Sequence, residues 1–237
     1  KRVKALQSKK FRDESGLFVV EGEKMVAEAL ESGLQVEAVY RRDEIGEQAM
    51  ARISSLNSPS PVLAVVRQAA APDIDEIRSF VRSCGRDMLA IALDEIRDPG
   101  NLGTIIRLAD WYGIDAVFCS AGTVELYNPK VVQSTMGAIF RKKVIYCDLN
   151  NIFDIFASNG LPIYGTFLEG EDIYRSELSS GGLIVMGNEA NGISPELRSR
   201  ISAKLFIPPY PGNRKTAESL NVAIATAITV SEFRRRR

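Results

Sequence analysis

Short, uninterrupted apolar runs recur through the second half of the sequence, and stretches with helical periodicity separate them. The runs do not alternate apolar with polar residues, so each predicts a strand that is buried on both faces. The predicted strands span 88–93, 116–120, 143–147, 162–167, 183–187 and 204–207, and the predicted helices span 102–112, 129–139, 151–158, 195–201 and 219–233. This order of elements predicts an α/β fold built on a parallel sheet.

A smaller set of strands and helices precedes these units. The predicted strands span 17–20, 36–40 and 62–66, and the predicted helices span 22–32, 44–55 and 73–83. A chain of 237 residues is long enough for two compact domains. We therefore predict a small N-terminal α/β domain over 1–86 and a larger domain over 87–237.

Composition narrows the classes of protein to consider. No apolar run approaches the ~20 residues that a transmembrane helix needs. The chain has no histidine, and its three cysteines, Cys84, Cys119 and Cys147, are widely spaced. This usage argues against a disulfide framework and against a transition-metal site. It predicts a protein of the reducing cytoplasm.

The stretch "DPGNLGTIIRLA", residues 98–109, combines a tight turn with the start of a helix. Asn101 stands where an N-cap is expected, because its side chain could accept from the first free backbone N–H groups. The apolar stripe comprises Leu102, Ile105, Ile106 and Ala109. Arg107 lies off this stripe. From this motif alone, an ordinary surface arginine is the favoured interpretation of Arg107.

A second polar group follows the apolar run 183–187. It contains Gly187, Asn188, Glu189, Asn191 and Gly192. Ligands of parallel α/β sheets bind at the carboxyl ends of strands, so this group is a candidate rim of a site. A simple connecting turn would also explain Asn191 and Gly192, but it explains Glu189 less well.

The third stretch contains the last predicted helix, which Ser219 is expected to cap. The residues expected to pack inward are Leu220, Ala223, Ile224, Ala227 and Ile228. Val222, Ala225 and Val230 leave little polar face, so the helix is expected in a core or against a second subunit. A plain capping role for Ser219 does not account for Asn221 beside it.

Basic residues concentrate at both ends of a chain whose formal net charge is zero. The N-terminal cluster comprises Lys1, Arg2, Lys4, Lys9, Lys10 and Arg12, and Arg234 to Arg237 close the sequence. Such clusters can bind phosphates of a nucleic acid by releasing counterions. They can also be solvated chain ends, so both interpretations stay open.

Taken together, the three motifs resemble those of the SpoU-type RNA ribose methyltransferases, the TrmH-like branch of the SPOUT superfamily. The matching segments are 98–109, "GNEANGIS" at 187–194, and Ile207-Pro208 followed by Ser219-Leu220-Asn221-Val222. Residues 6–33 look like the small RNA-binding domain that precedes many of these catalytic domains. The loop 209–218 looks longer than is usual in the family.

The resemblance implies a deep trefoil knot within 88–237, an S-adenosylmethionine site built from the knot loops, and a homodimer. The implied cofactor contacts are Thr166, Phe167, Gly187, Ile207 and Leu220. The implied active-site residues are Asn101, Arg107, Glu189, Ser219 and Asn221. No metal is needed. The implied substrate is the ribose 2′-hydroxyl of ribosomal RNA or transfer RNA, and the separate N-terminal domain favours ribosomal RNA.

The absence of histidine removes the usual general base. The resemblance implies that Arg107 is the base, but a guanidinium holds its proton too tightly to act as one unaided. We therefore expect Arg107 to contact the phosphate and hydroxyl of the target nucleotide and to stabilise developing negative charge, while the proton leaves through Arg107, phosphate or water. Glu189 is expected to orient Arg107, to hold the loop or to accept the proton, and Asn101, Ser219 and Asn221 are expected to position the ribose and the motif loops. Two other functions stay open. One is a non-catalytic RNA-binding or ribosome-assembly factor on the same fold; the other is an unrelated α/β nucleotide-binding enzyme.

Overall fold

The structure is a computed structural model that describes residues 1–211 and 217–235. The chain divides into two compact units that do not follow chain order. The first unit comprises Lys1–Ala70 and Glu125–Arg141, and the second comprises Ala71–Val124 and Lys142–Arg237. Within the described residues, no helix is both long enough and apolar enough to cross a membrane.

Helices and strands alternate along most of the chain. The helices are α1 (Arg2–Ala5), α2 (Lys9–Ser15), α3 (Glu23–Glu31), α4 (Arg42–Ile45), α5 (Glu47–Ile53), α6 (Ile74–Cys84), α7 (Pro99–Trp111), α8 (Pro129–Thr135), α9 (Leu149–Ser158), α10 (Pro195–Arg198) and α11 (Val222–Arg235). The strands are β1 (Leu17–Glu21), β2 (Val36–Arg41), β3 (Val62–Arg67), β4 (Leu89–Leu93), β5 (Ala116–Cys119), β6 (Lys143–Tyr146), β7 (Ile163–Phe167), β8 (Glu171–Asp172), β9 (Gly182–Met186) and β10 (Ala203–Phe206).

The first unit is built on a three-stranded antiparallel sheet in the order β1-β3-β2. Helix α8 packs against β1. A bidentate ion pair fixes the 125–141 segment in this unit, since Arg12 donates to both carboxylate oxygens of Glu125 at 2.8 and 2.5 Å. Arg12 is only 2% exposed, so it belongs to the unit's interior and not to the basic surface on which it was predicted.

The second unit contains a seven-stranded sheet in the order β6-β5-β4-β9-β7-β10-β8. Every pairing described in it is parallel, which confirms the predicted parallel sheet. The central strands β4 and β9 are completely buried. The two-residue strand β8 was not predicted, because so short an element leaves no apolar run.

Several predicted helices are shorter or divided. The helix predicted over 44–55 is split into α4 and α5 at Gly46, whose φ of 84° ends α4. Helix α8 stops at Thr135 because Met136 adopts a left-handed conformation with φ 49°. Helix α10 ends at Arg198.

Helix α11 buries a different face from the one predicted. Leu220 precedes it and is 49% exposed, and Ile224 is 52% exposed. Thr226 and Thr229 are fully buried instead. Burial costs these threonines little because their hydroxyls donate to Val222 O at 2.7 Å and Ala225 O at 2.8 Å inside the helix. The predicted inward stripe was therefore wrong at Leu220 and Ile224.

Helices α7 and α11 pack side by side and run in the same direction. Their first turns meet where Asn221 donates to Asn101. Their last turns meet where Arg234 donates to the carbonyls of Tyr112 and Gly113 at 2.7 and 2.6 Å. Both helix N-termini therefore lie together, next to the loop that follows β9.

Candidate active site

The first turn of α7 is capped by Asp98 and not by Asn101. The Asp98 carboxylate accepts from the Asn101 backbone N–H at 2.8 Å, and Pro99 occupies the first helical position. The predicted capping role of Asn101 was therefore wrong. Because Asp98 takes that role, the carboxamide of Asn101 is available for other contacts.

The first turn of α11 is capped by Asn221 and not by Ser219. The Asn221 Oδ1 accepts from the N–H groups of Ala223 at 2.9 Å and Ile224 at 3.3 Å. Ser219 is exposed and makes no hydrogen bond with the residues that the structure describes. It lies two residues before the true cap, so the predicted helix start was too early.

Asn221, Asn101 and Glu189 form a continuous chain of hydrogen bonds, which we call the polar triad. Asn221 Nδ2 donates to Asn101 Oδ1 at 2.9 Å, and Asn101 Nδ2 donates to Glu189 Oε1 at 2.6 Å. The hydrogen bonds all run in one direction. The first N–H groups of α11 donate to Asn221, Asn221 donates to Asn101, and Asn101 donates to the Glu189 carboxylate. The triad thus joins one residue from each of the three sequence motifs, and it presents an exposed carboxylate.

Arg107 is not part of the polar triad. It lies six residues after Asn101 on α7, about 9 Å further along the helix axis. Its side chain is exposed and has no ion pair or hydrogen bond with any described residue. Trp111, one turn later on the same face, is 85% exposed. The guanidinium is therefore available to an anionic ligand.

The predicted cofactor residues lie at the ends of adjacent strands. Thr166 and Phe167 end β7, Gly187 follows β9, and Ile207 follows β10. Strand β7 leaves β9 after the Gly165–Val185 pair but remains paired with β10 up to Phe167. Thr166 and Phe167 therefore lie where two strands part, beside the loop that carries Glu189.

The chemistry of these strand ends suits a nucleoside cofactor. Phe167 and Ile207 are half-buried and Leu220 is exposed, so they offer apolar surface. The parting strand ends add backbone donors and acceptors. A Cβ at Gly187 would lie 2.2 Å from the backbone of Gly192, so glycine there lets the loop fold back. The individual cofactor contacts stay predictions, and residues 212–216 of the 209–218 loop lie outside the described residues.

Two cysteines near this edge of the sheet are unreactive thiols. Burial raises the pKa of the Cys119 thiol far above its usual range. Burial, with the nearby Asp148 carboxylate as a smaller cause, raises the pKa of Cys147 to about 12. Both groups are therefore neutral near pH 7 and are poor candidates for nucleophiles. In the described part of the chain, no cluster of histidine, cysteine, aspartate and glutamate could hold a metal.

Sequence reasoning gave no individual role to three residues that shape the site. Asp94, Glu95 and Asn188 connect the loop after β4 to the loop after β9. Asn188 could have been recognised in the sequence, because asparagine is a common turn former. Nothing in the sequence marks Glu95, because its φ of 57° is uncommon for a glutamate.

Comparisons with protein families match both parts of the chain. Residues 88–231 match the SpoU rRNA Methylase family. Residues 1–69 match the MRM3-like substrate binding domain. The two matched segments together cover most of the sequence.

Individual proteins are similar over nearly the full length. The 23S rRNA (guanosine(2553)-2′-O)-methyltransferase RlmP of Bacillus subtilis is 31% identical, over 98% of this chain and 94% of its own. An AdoMet-bound rRNA methyltransferase from Sinorhizobium meliloti superposes with a TM-score of 0.87 at 30% identity, covering 99% and 93% of the two chains. The SpoU methyltransferase AviRb from Streptomyces viridochromogenes, in complex with AdoMet, gives 0.85 at 25% identity over 99% and 96%. The family match over more than half of the sequence, together with these relatives, assigns the chain to the SpoU rRNA methylase family.

Proposed function

We propose that this protein transfers a methyl group from S-adenosylmethionine to a ribose 2′-hydroxyl of ribosomal RNA. The observation that carries the proposal is the polar triad, which joins Asn101, Glu189 and Asn221 from the three family motifs. Its relatives support the substrate class, since RlmP is named as a 23S rRNA 2′-O-methyltransferase.

S-adenosylmethionine supplies an activated methyl group when it is bound, so no metal is required. Thr166, Phe167, Gly187, Ile207 and Leu220 would hold it, through apolar contacts and strand-end backbone groups. The first four of these residues lie at one edge of the sheet, next to the loop that carries Glu189, and Leu220 lies just before α11. Holding donor and acceptor in line can supply ~7–11 kcal/mol of the barrier reduction.

Removal of the hydroxyl proton falls to Glu189 in this proposal. Its Oε1 accepts from Asn101, and its second oxygen makes no hydrogen bond with the described residues. That oxygen would accept the proton of the ribose hydroxyl, whose oxygen would take the methyl group as its bond to the cofactor's sulfur breaks. Asn101 and Asn221 fix the carboxylate, and each keeps a further N–H with which to position the ribose. Ser219, exposed just before Asn221, would assist that positioning.

Arg107 binds the phosphate beside the reacting ribose and stabilises the alkoxide that develops on the oxygen. A guanidinium offers N–H donors and no acceptor, which suits this role and not that of a base. We do not retain the expectation that Glu189 orients Arg107 through a direct contact, because no hydrogen bond joins the two side chains.

The N-terminal unit binds the RNA in this proposal. Lys1, Arg2, Lys4, Lys9 and Lys10 are all exposed on α1, α2 and the residues before them. The same segment matches a family described as a substrate binding domain. Such a surface recognises structured RNA by its shape and phosphates. Affinity should therefore fall steeply with salt.

The remaining expectations concern assembly and location. We propose a homodimer, because Trp111 on α7 and Ile224 on the adjacent α11 expose 85% and 52% of their surface. Light scattering of Trp111→Glu against the unsubstituted protein tests it. A trefoil knot within 88–237 remains part of the proposal. A cytoplasmic location also remains part of the proposal, because free cysteines are typical of a reducing compartment.

Transfer of tritium from methyl-labelled S-adenosylmethionine to unmodified RNA tests the function. The substrates are transcripts of large and small ribosomal RNA and a transfer-RNA pool. We expect label in one ribosomal RNA, protection of one phosphodiester from alkali, and loss of both with Arg107→Ala. Arg78→Ala, an exposed arginine on α6, is the matched control. Cofactor and RNA binding without label would instead support a non-catalytic RNA-binding or ribosome-assembly factor.

A further inference from the structure

The carboxamide of Asn188 makes contacts in two directions. Its Nδ2 donates to the carbonyl of Glu95 at 2.7 Å, in the loop after β4. Its Oδ1 accepts from the backbone N–H groups of Ala190 at 2.9 Å and Asn191 at 3.2 Å. One side chain therefore shapes the loop that carries Glu189 and also ties that loop to its neighbour.

The rest of the loop is closed by backbone contacts. Asn188 and Gly192 exchange two backbone hydrogen bonds, at 3.0 and 2.9 Å. At the far end, the Ser194 N–H donates to Asp94 Oδ2 at 2.7 Å, and Asp94 is almost completely buried. The loop is thus anchored at both ends to the dipeptide Asp94-Glu95.

Glu95 offers a fixed acceptor to Asn188. Its backbone has a φ of 57°, a left-handed conformation that is unfavourable for a non-glycine residue. Its N–H donates to Ser120 Oγ at 2.8 Å, and the Ser120 N–H donates to Leu93 O at 3.0 Å. These contacts keep Glu95 in an orientation in which its carbonyl meets the Asn188 amide.

We propose that Asn188 is a positioning residue that sets the place of Glu189 relative to Asn101. The inference rests on the proposed methyl transfer for its catalytic consequence. Glu189 follows Asn188 directly and is exposed, so the position of its backbone depends on the hydrogen bond from Asn188 to the Glu95 carbonyl, which we call the tether. The tether to Glu95 keeps Glu189 Oε1 within 2.6 Å of Asn101 Nδ2. Without the tether, the loop keeps its internal turn but no longer holds a fixed position relative to α7.

Asn188→Asp removes the hydrogen bond to Glu95 while keeping the hydrogen bonds that form the turn. The carboxylate keeps acceptor oxygens for Ala190 and Asn191, but it places an oxygen against the Glu95 carbonyl in place of a donor. We expect a roughly tenfold to hundredfold loss of kcat, because small misplacement of reacting groups has effects of that size. The Kd for RNA should change less than about twofold, because the phosphate-binding residues are untouched.

Asn128→Asp is the matched control. Asn128 caps α8 through its Oδ1, which accepts from the Lys130 N–H at 2.9 Å, so the substitution adds the same charge and keeps the acceptor. We expect wild-type kcat for this variant. Asn188→Ala removes both sets of contacts and should lower the melting temperature more than Asn188→Asp does.

A double-mutant cycle shows whether Asn188 acts through Glu189. In the Glu189→Ala background, adding Asn188→Asp should change the single-turnover rate by less than about twofold. Wild-type kcat for Asn188→Asp, or a full additional loss in the Glu189→Ala background, overturns the proposal.

A second readout does not depend on turnover. The side-chain amide resonance of Asn101 in NMR spectra reports its hydrogen bond to Glu189. We expect Asn188→Asp to move this resonance toward its position in Glu189→Ala, and an unchanged resonance overturns the proposal. If the unsubstituted protein methylates no RNA while Asn188→Asp still moves the resonance, the proposed function fails and the positioning role stands.

Discussion

Asn101→Asp tests whether Asn101 and Glu189 are true neighbours. In the structure, Asn101 Nδ2 donates to Glu189 Oε1 at 2.6 Å, and Asn101 Oδ1 accepts from Asn221. The substitution keeps the acceptor for Asn221 but replaces the donor with an oxygen. Two carboxylates would then face each other across a hydrogen-bond distance. Asn101→Ala removes both hydrogen bonds without adding a charge, so it is the reference against which the added charge is measured.

The distance sets the size of the effect. Two unit charges 4 Å apart repel by about 1 kcal/mol in water and about 4 kcal/mol at the effective dielectric of a protein surface. Because Glu189 is exposed, we take about 1–2 kcal/mol. A negative charge in the first turn of α7 recovers about 0.5 kcal/mol. The part of the difference from Asn101→Ala that comes from the charge is therefore about 1 kcal/mol, or about 2–4 °C in melting temperature for a chain of this length. The hydrogen bond from Asn221, which only the aspartate keeps, offsets it by a similar amount at every pH, so the charge is measured by the pH dependence.

The pH dependence has a definite sign. Repulsion raises the pKa of the carboxyl pair in the folded state above the ordinary value of about 4. The folded state then binds the proton more tightly than the unfolded state. Stability relative to Asn101→Ala is therefore lost as pH rises from the ordinary pKa through the raised one, and the loss stays constant above that range.

Thermal unfolding of both variants and the unsubstituted protein, from pH 4 to pH 8 at low salt, measures this difference. Adding 0.5 M salt should reduce it, because the pair is exposed. If Asn101→Asp and Asn101→Ala show the same melting temperatures at every pH, the two side chains are not neighbours. The polar triad would then be wrong.

Three further predictions concern stability and thiol reactivity. Asn221→Ala should lower the unfolding free energy in urea by about 1–2 kcal/mol, whereas Ser219→Ala should change it by less than about 0.5 kcal/mol, because only Asn221 caps α11; equal losses would contradict this assignment. Arg12→Ala should cost about 3–5 kcal/mol, measured by hydrogen exchange in the first unit, because it leaves a largely buried carboxylate unpaired; a cost below 1 kcal/mol would refute the buried ion pair. Iodoacetamide at pH 8 should modify Cys84 before Cys147, as followed by mass spectrometry, because burial raises the pKa of both thiols but raises that of Cys147 more, to about 12, which leaves almost no thiolate; modification of Cys147 first would contradict this order.

The strand positions of the second unit could be predicted because each buried strand is an uninterrupted apolar run. The order of the strands could not. Strand β9 lies between β4 and β7, and β10 lies between β7 and β8. Apolar runs that are buried on both faces have the same pattern wherever they lie in a sheet. The pattern therefore shows that they pair but not with which partner.

The sequence also offers no way to predict that segment 125–141 belongs to the first unit. Its helical pattern continues the strand–helix alternation of the second unit. Its contacts with the first unit are long-range in sequence, such as the Arg12–Glu125 ion pair between residues that are 113 positions apart. A single charged residue on a helix gives no indication of a partner at that separation, so Arg12 was placed with the surface charges.

The sequence motifs contain the three residues that the structure joins in the polar triad, but the cap of each helix was predicted at the wrong residue. Both errors have the same cause, since serine, aspartate and asparagine all cap helices and several stand near each start. At α7 the cap is Asp98, which leaves Asn101 free. At α11 the cap is Asn221, and Ser219 lies outside the helix.

The choice of residue at each position follows from what the polar triad requires. A capping side chain needs only an acceptor, so Asp98 serves α7 completely. The cap of α11 must also donate to Asn101, and a carboxylate has no hydrogen to donate. Asparagine supplies both functions in one planar group, since Asn221 accepts through Oδ1 and donates through Nδ2. The same argument applies to Asn101, which must accept from one amide and donate to one carboxylate. The two asparagines therefore connect the N-termini of α7 and α11 to Glu189 by hydrogen bonds and fix its position. No shorter side chain or acid could replace either one.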